Sequence, residues 1–261
     1  MALITNCEAY WKMENRTDEV GSNDLTNSGA SVVAGKINNC YSFDGDTDEM
    51  KSDDNNYFND TTFSISFWIK FDYTTDNRYF VALDHSGDGW GLRTETNESH
   101  GADAGNRICL VLKGTATIPF NSTTFTTGTW EHYVLTYNDG SAQILYKNGV
   151  ADSESSASTI DGTTKGLVLG TFEEGNTENW AGDLDEIGYW SRVLTSAEVT
   201  SLYNSGSGLT YPFTTTTATR FQINKGDVWK DVEAMQINIG DVWKDVKGVQ
   251  VNIGDTWKEV F

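Results

Sequence analysis

Residues 221–261 state one phrase three times: FQINKGDVWKDVEA, MQINIGDVWKDVKG and VQVNIGDTWKEVF. The tryptophans Trp229, Trp243 and Trp257 stand fourteen residues apart, as do Gly226, Gly240 and Gly254. A period this short leaves room for one supersecondary unit per copy. Each copy divides at its Gly-Asp or Lys-Gly-Asp step, with apolar residues alternating on either side (Ile237 and Ile239; Val242 and Val246), so each reads as a β-hairpin. A lone hairpin of that length cannot bury its own face. Three in tandem must pack on one another or on copies from neighbouring chains, which makes Trp229, Trp243 and Trp257 the expected oligomerisation or docking residues, with a homo-oligomer, a trimer first, as the expected state. The Thr-rich stretch TTTTATR in front of them fits a tether. The expected division is therefore a domain over 1–213, a linker over 214–220 and three hairpins over 221–261.

The larger part in front reads as strands. FSISFWIKF sets Phe63, Ile65, Phe67, Ile69 and Phe71 against Ser64, Ser66, Trp68 and Lys70. WEHYVLTY, the turn NDG and AQILYKNGV predict a hairpin, and Asn148-Gly149 predicts the turn into another strand. GLVLGTF and GDLDEIGYW add two more. Only SRVLTSAEVTSLYNSG changes period: Val193/Leu194, Val199, Leu202 and Tyr203 are helically spaced, Thr195-x-x-Glu198 predicts a capping box, and Gly206 a stop. Many glycines (25), few prolines (2) and 12% aromatics suit the same class. The prediction is an all-β chain: an antiparallel sandwich with one short late helix.

Charge narrows the partners. The net charge is −20, and residues 221–261 hold five lysines against seven acids, so the excess lies in the front part. Such a surface repels phosphate backbones and anionic lipid, which argues against nucleic acid and membrane as partners. The start, MALITNCEAYWKMEN, lacks the basic-then-apolar pattern of a secretory signal, and no run approaches the roughly 18–20 apolar residues of a membrane span. Synthesis in a cytosol is expected. Cys7, Cys40 and Cys109 are an odd, irregular set rather than a disulfide framework, and the glycosylation triplets at Asn15, Asn59, Asn97 and Asn121 carry little weight without secretion.

In chain order, AYWKMEN, the loop ending in SFDG, FSISFWIKF, GTWEHYVLTYNDGSAQILYKNGV and WAGDLDEIGYWSRVLTSAEVTSLY resemble successive pieces of the laminin-G-like, concanavalin-A-type jelly-roll family over about residues 8–208. The resemblance implies a jelly roll in which Trp68, Trp130 and Trp180 fill the core and His132 is buried and hydrogen-bonded. It also implies that Asp185 and Arg192 form a structural ion pair. Cys7 and Cys40 would lie on neighbouring strands, with a bridge between them left open.

Glucanases and lyases share this architecture, so catalysis has to be weighed. Retaining glucanases on it carry two glutamates about 5 Å apart at the ends of a Glu-x-Asp-x-x-Glu run. GDLDEIGYW has Asp183, Asp185 and Glu186, but the second glutamate would fall at Gly188 or Tyr189. The His-and-acid clusters LDHSGDGW and NESHGADAG sit in Gly-rich loops. A non-enzyme is expected. In the family, ligands bind at the loop rim, often with calcium, and Asp44, Asp46, Asp48 and Glu49 in FDGDTDEM are the candidate ligands for it; Glu173, Glu174 and Glu178 form a weaker second set. Glycan stacking needs exposed rings beside hydrogen-bonding groups, which selects Tyr57, Tyr79, His85, Trp90 and His100.

The tail phrase resembles Gly-x-x-Trp-Lys-x-Val hairpins at the ends of bacteriophage tail and other virion structural proteins. Together the two resemblances imply a virion-borne, non-enzymatic adhesin made in a bacterial cytoplasm, binding surface glycan and other virion proteins. The alternatives are a purely structural capsid or tail decoration, and a glycan depolymerase.

Overall fold

The computed structural model describes residues 2–53, 58, 60–75, 77–83, 89–96, 106–112, 116–141, 143–154, 159–160, 165–172 and 178–213, with six short strands between 222 and 259. It divides into two compact units, Met1–Phe213 and Thr214–Phe261.

The first unit opens with β1 (Cys7–Trp11), β2 (Thr26–Ser28), β3 (Ser31–Ala34), β4 (Asn39–Asp44) and β5 (Glu49–Lys51). Then come β6 (Thr62–Phe71), β7 (Tyr79–Leu83), β8 (Trp90–Glu95), β9 (Arg107–Leu112) and β10 (Ala116–Thr124). The series closes with β11 (Trp130–Asn138), β12 (Gln143–Lys147), β13 (Val150–Glu154), β14 (Leu167–Leu169), β15 (Ala181–Trp190) and helix α1 (Ser196–Tyr203). An eight-stranded sheet runs β13-β12-β11-β6-β15-β4-β3, with β1 also beside β15, and a seven-stranded sheet runs β10-β9-β8-β7-β14-β5-β2. All strand pairs are antiparallel, which is the predicted sandwich.

Alternation along β6 explains its place at the centre. Phe63, Ile65, Phe67, Ile69 and Phe71 all enter the core between the sheets, where Phe63 stacks on Trp90, Tyr137 and Tyr189. The opposite side is buried too, because α1 and residues 208–213 cover it. There the Ser64 hydroxyl donates to the Arg192 carbonyl and accepts the Leu194 N–H, both at 2.9 Å, while Tyr203 stacks over Trp68. A second apolar cluster, including Tyr10, Trp190, Val199 and Leu202, lies on this side with Tyr211 and Phe213 packed against it.

The hairpin from β12 to β13 turns at Asn148 (φ 51°) and Gly149 (φ 81°), two positive-φ positions that Asn and Gly adopt at least cost. The capping box forms as predicted: the Thr195 hydroxyl accepts the Glu198 N–H, and the Glu198 carboxylate accepts the Thr195 N–H. Two details of the helix differ. Val193 and Leu194 precede it, and it ends at Asn204, whose left-handed φ of 47° caps it before Gly206 is reached. The three cysteines are free and buried.

In the second unit the repeats form three separate two-stranded sheets, Gln222–Asn224 with Trp229–Asp231, Gln236–Ile239 with Val242–Asp245 and Gln250–Ile253 with Thr256–Glu259. The register repeats with the sequence, Trp229, Trp243 and Trp257 standing opposite Asn224, Asn238 and Asn252.

Candidate functional site

The acidic turn between β4 and β5 shows what its carboxylates do. Asp44 accepts the N–H groups of Asp46, Thr47 and Asp48 at 2.8, 3.1 and 3.2 Å, and these hold its carboxyl below the usual carboxylate range. The nearly buried Asp48 in turn accepts the Asp44 N–H at 3.0 Å. The Asp46 carbonyl accepts from the Asn179 amide. Oxygens committed to closing the turn are poor calcium ligands, since calcium requires six to eight oxygens converging on one point. Among the described residues, no three Asp, Glu, His or Cys side chains converge. Asp44, Asp46, Asp48 and Glu49 all lie in or beside this turn, and of the second set only Glu178 lies within the described residues.

Beside this turn, Tyr73 is 37% exposed, with its hydroxyl against Gly45. Lys70 pairs with Asp183 and lies over the Trp130 ring, 5.5 Å from its centre. Trp130 is thus half-buried at the edge, Trp180 lies in the core between the sheets, and Trp68 is buried on the other side of β6 beneath Tyr203.

The candidate sugar-stacking residues are corrected where they can be seen. Trp90 is 1% exposed and Tyr79 4%, the first inside the sandwich and the second beneath Phe172 on the outer face of β7. Rings enclosed on both sides offer no face to a sugar. Tyr57, His85 and His100 lie outside the described residues.

The expected catalytic look-alikes are enclosed. His132 sits 2.9 Å from the Ser66 hydroxyl through Nε2, and burial pushes its pKa down to about 3, so it is neutral. Asp185 and Glu186 occupy a bulge of β15 at the point where β4 stops and β1 starts along the same edge. There they serve groups the interrupted ladder leaves over: Asp185 accepts the Ile37 N–H at 2.9 Å and Glu186 the Tyr10 hydroxyl at 2.6 Å. Desolvation raises Asp185 to about 8 and Glu186 to about 7. The expected ion pair of Asp185 with Arg192 does not form. Arg192 instead makes a two-pronged pair with Glu198, at 2.8 and 2.9 Å, which ties the approach of α1 to its cap.

A site that the sequence does not single out lies beyond the far end of β5. Asn15, Arg16 and Thr17 after β1, Asp24, Leu25 and Thr26 at the start of β2, and Asp53 line a cleft of about 350 Å³. Its walls are held from below by Asp18, 4% exposed, whose carboxylate accepts the N–H groups of Tyr10, Val20 and Asn23. The Asp18 N–H goes to Asp24, and the Leu25 N–H goes to the Arg16 carbonyl at 2.8 Å, so the two halves of the loop are stitched together. No periodicity could have marked it, because three short polar segments meet there from separate strands.

Residues 43–200 match the family model described as the concanavalin A-like lectin/glucanases superfamily. The chain belongs to that superfamily. Solved structures with the same lectin/glucanase architecture include domain 4 of AbnA, a GH43 extracellular arabinanase from Geobacillus stearothermophilus, in complex with arabinotriose. It is 17% identical with a TM-score of 0.61, over 75% of this chain and 97% of that one. The binding domain of Paraclostridial Mosquitocidal Protein 1 is 16% identical with a TM-score of 0.61, over 99% of this chain and 74% of that one. The binding domain of botulinum neurotoxin serotype D is 18% identical with a TM-score of 0.57; 78% of this chain is covered and 51% of that one. No curated protein matches in sequence. At these identities the likeness establishes the lectin/glucanase fold.

Proposed function

We propose that this lectin-like protein is a non-enzymatic adhesin that recognises surface glycan, carried on a bacteriophage virion with its C-terminal hairpin repeats as the docking and oligomerising element. One observation carries the recognition half. The 15–53 cleft offers carboxylate, amide, hydroxyl and guanidinium groups side by side, the donors and acceptors that hydroxyl-rich ligands require. The acids and histidine of β15 and β11 are enclosed and committed to internal partners, which supports binding over hydrolysis. The neighbouring arabinanase domain solved with arabinotriose, and the toxin binding domains, are in keeping with this reading.

The virion half rests on the triplicated tail. Several shallow sites on one particle gain avidity without new contacts, which suits weak glycan binding. Its test is a mass measurement in solution of the full chain against a version ending at Phe213. The full chain is expected to be an oligomer and the shortened one a monomer; equal monomeric masses would remove the assembly role. A glycan array probed with the full chain, with calcium and with chelator, tests recognition. Binding is expected in both conditions. Silence on every glycan favours the structural decoration, and release of reducing ends from a polysaccharide favours the depolymerase.

A further inference from the structure

We infer that the cleft formed by Asn15, Arg16, Thr17, Asp24, Leu25, Thr26 and Asp53 binds an uncharged saccharide, one or two sugar units at a chain end, with Arg16 as the central donor. The inference rests on the glycan-recognition reading and assigns it a site and a ligand class.

The first observation is the state of Arg16. Five basic side chains elsewhere are held in ion pairs: Lys12 with Glu19, Lys70 with Asp183, Lys147 with Glu131, Arg93 with Glu95 and Arg192 with Glu198. Among the described residues, the Arg16 guanidinium has neither an ion pair nor a side-chain hydrogen bond, although Asp24 and Asp53 line the same cleft and the chain carries a charge of −20. An arginine exposed in that position keeps a planar fork of N–H donors free for a ligand.

The second observation is the balance of the lining. Two neighbouring hydroxyls of a sugar can each accept from the guanidinium and donate to a carboxylate. Asp24 keeps one oxygen for such a hydroxyl because only Oδ1 is taken, by the Asp18 N–H at 2.9 Å. Leu25, 2% exposed, is anchored in the core between the sheets, so it fixes the position of Asp24 and Thr26 on either side of it. The volume of about 350 Å³ stands at the low end of ligand clefts, which run from roughly 300 to 1,000 Å³.

The third is charge. One arginine between two aspartates leaves the cleft net negative, inside a molecule whose field is itself strongly negative. A uronic or sialic acid would bring its carboxylate against Asp24 or Asp53. A neutral sugar meets no such penalty and uses both signs of the lining.

The test uses the full chain, titrated by calorimetry with neutral di- and trisaccharides of arabinose, glucose, galactose and mannose, and with the matching uronic acid oligomers. Neutral ligands are expected to bind. Arg16→Ala and Asp53→Ala should each weaken binding about tenfold or more, the loss associated with a charge-assisted hydrogen bond, with unchanged thermal melting because both side chains are exposed. Uronic oligomers should bind at least about tenfold more weakly in low salt, and the gap should narrow as salt screens the cleft. Uronic acids binding more tightly than neutral sugars, or neutral binding unchanged in the double variant, would overturn the assignment while leaving glycan recognition intact. Absence of binding to every saccharide would overturn both.

Discussion

Trp90→Ala is expected to lower stability by about 3–5 kcal/mol, the usual cost of emptying a buried aromatic position, and to reduce the melting temperature by roughly 10 °C in a domain of this size. The ring is 1% exposed and stacks on Phe63 at 4.9 Å with planes 20° apart. Phe63 in turn meets Tyr137 and Tyr189, so the cavity would open beside a cluster of aromatics rather than at a surface that can close over it. Trp90→Phe should cost about 1.5 kcal/mol or less, since it keeps a ring in the stack and removes an indole N–H that has no hydrogen-bond partner among the described residues. Melting curves and glycan titrations of both variants separate the two roles. A structural tryptophan gives a large melting shift in the alanine variant and unchanged affinity in the phenylalanine one. Loss of affinity with unchanged melting would make Trp90 a sugar contact after all.

Trp90 also shows where sequence reasoning stops. Strands with a strict two-residue alternation, β6 above all, can be read directly, because one apolar face must find a core. The capping box at Thr195 and Glu198 is equally plain, since its partners are three residues apart. Trp90 follows Gly89 (φ 104°) in a glycine-rich stretch, so locally it resembles a loop aromatic; only the opposing sheet, contributed by β6 and β15, makes it interior. Arg192 illustrates a related limit. Its match to a family position suggests Asp185 as partner, yet the flexible side chain reaches Glu198, six residues on, and joins a cap already in place. The cleft around Arg16 is least legible. Its parts come from 15–17, 24–26 and 53, and the feature that unites them, the buried Asp18 hub, is a tertiary arrangement of hydrogen bonds.

The buried acids of β15 predict an unusual dependence of stability on pH. Asp185 titrates at about 8 instead of 3.8 and Glu186 at about 7 instead of 4.5, chiefly because burial penalises their charged forms; the Glu186 charge adds to the rise at Asp185. Lys12 acts on Glu186 in the opposite sense and Glu14 in the same sense, but neither outweighs burial. A carboxyl whose folded pKa is raised contributes stability that is complete below its unfolded pKa and disappears as pH climbs through the folded one. For this pair the window runs from about 4 to 8. His132 opposes them over part of that range: its pKa falls from 6.5 to about 3, so it favours the folded state as pH rises to 6.5 and adds nothing further above that. Below the window, Glu198, lowered to about 2, loses its contribution as acid protonates it. With two groups against one, stability should decline from about pH 4.5 to 8, most steeply between about 6.5 and 7, where His132 no longer compensates and both acids still differ between the folded and unfolded chain. A tenfold difference in proton affinity between the folded and unfolded chain corresponds to ~1.4 kcal/mol, and relaxation around coupled acids brings the expected total for Asp185 to the order of 2–4 kcal/mol. Asp185→Asn keeps an oxygen for the Ile37 N–H but cannot ionise. Its melting temperature should exceed that of the unmodified protein at pH 8.5, approach it near pH 4.5, and show a flatter profile between. A variant that is less stable at pH 8.5 would mean that Asp185 is charged in the folded protein and that the junction of β1 and β4 on β15 is held by an anion.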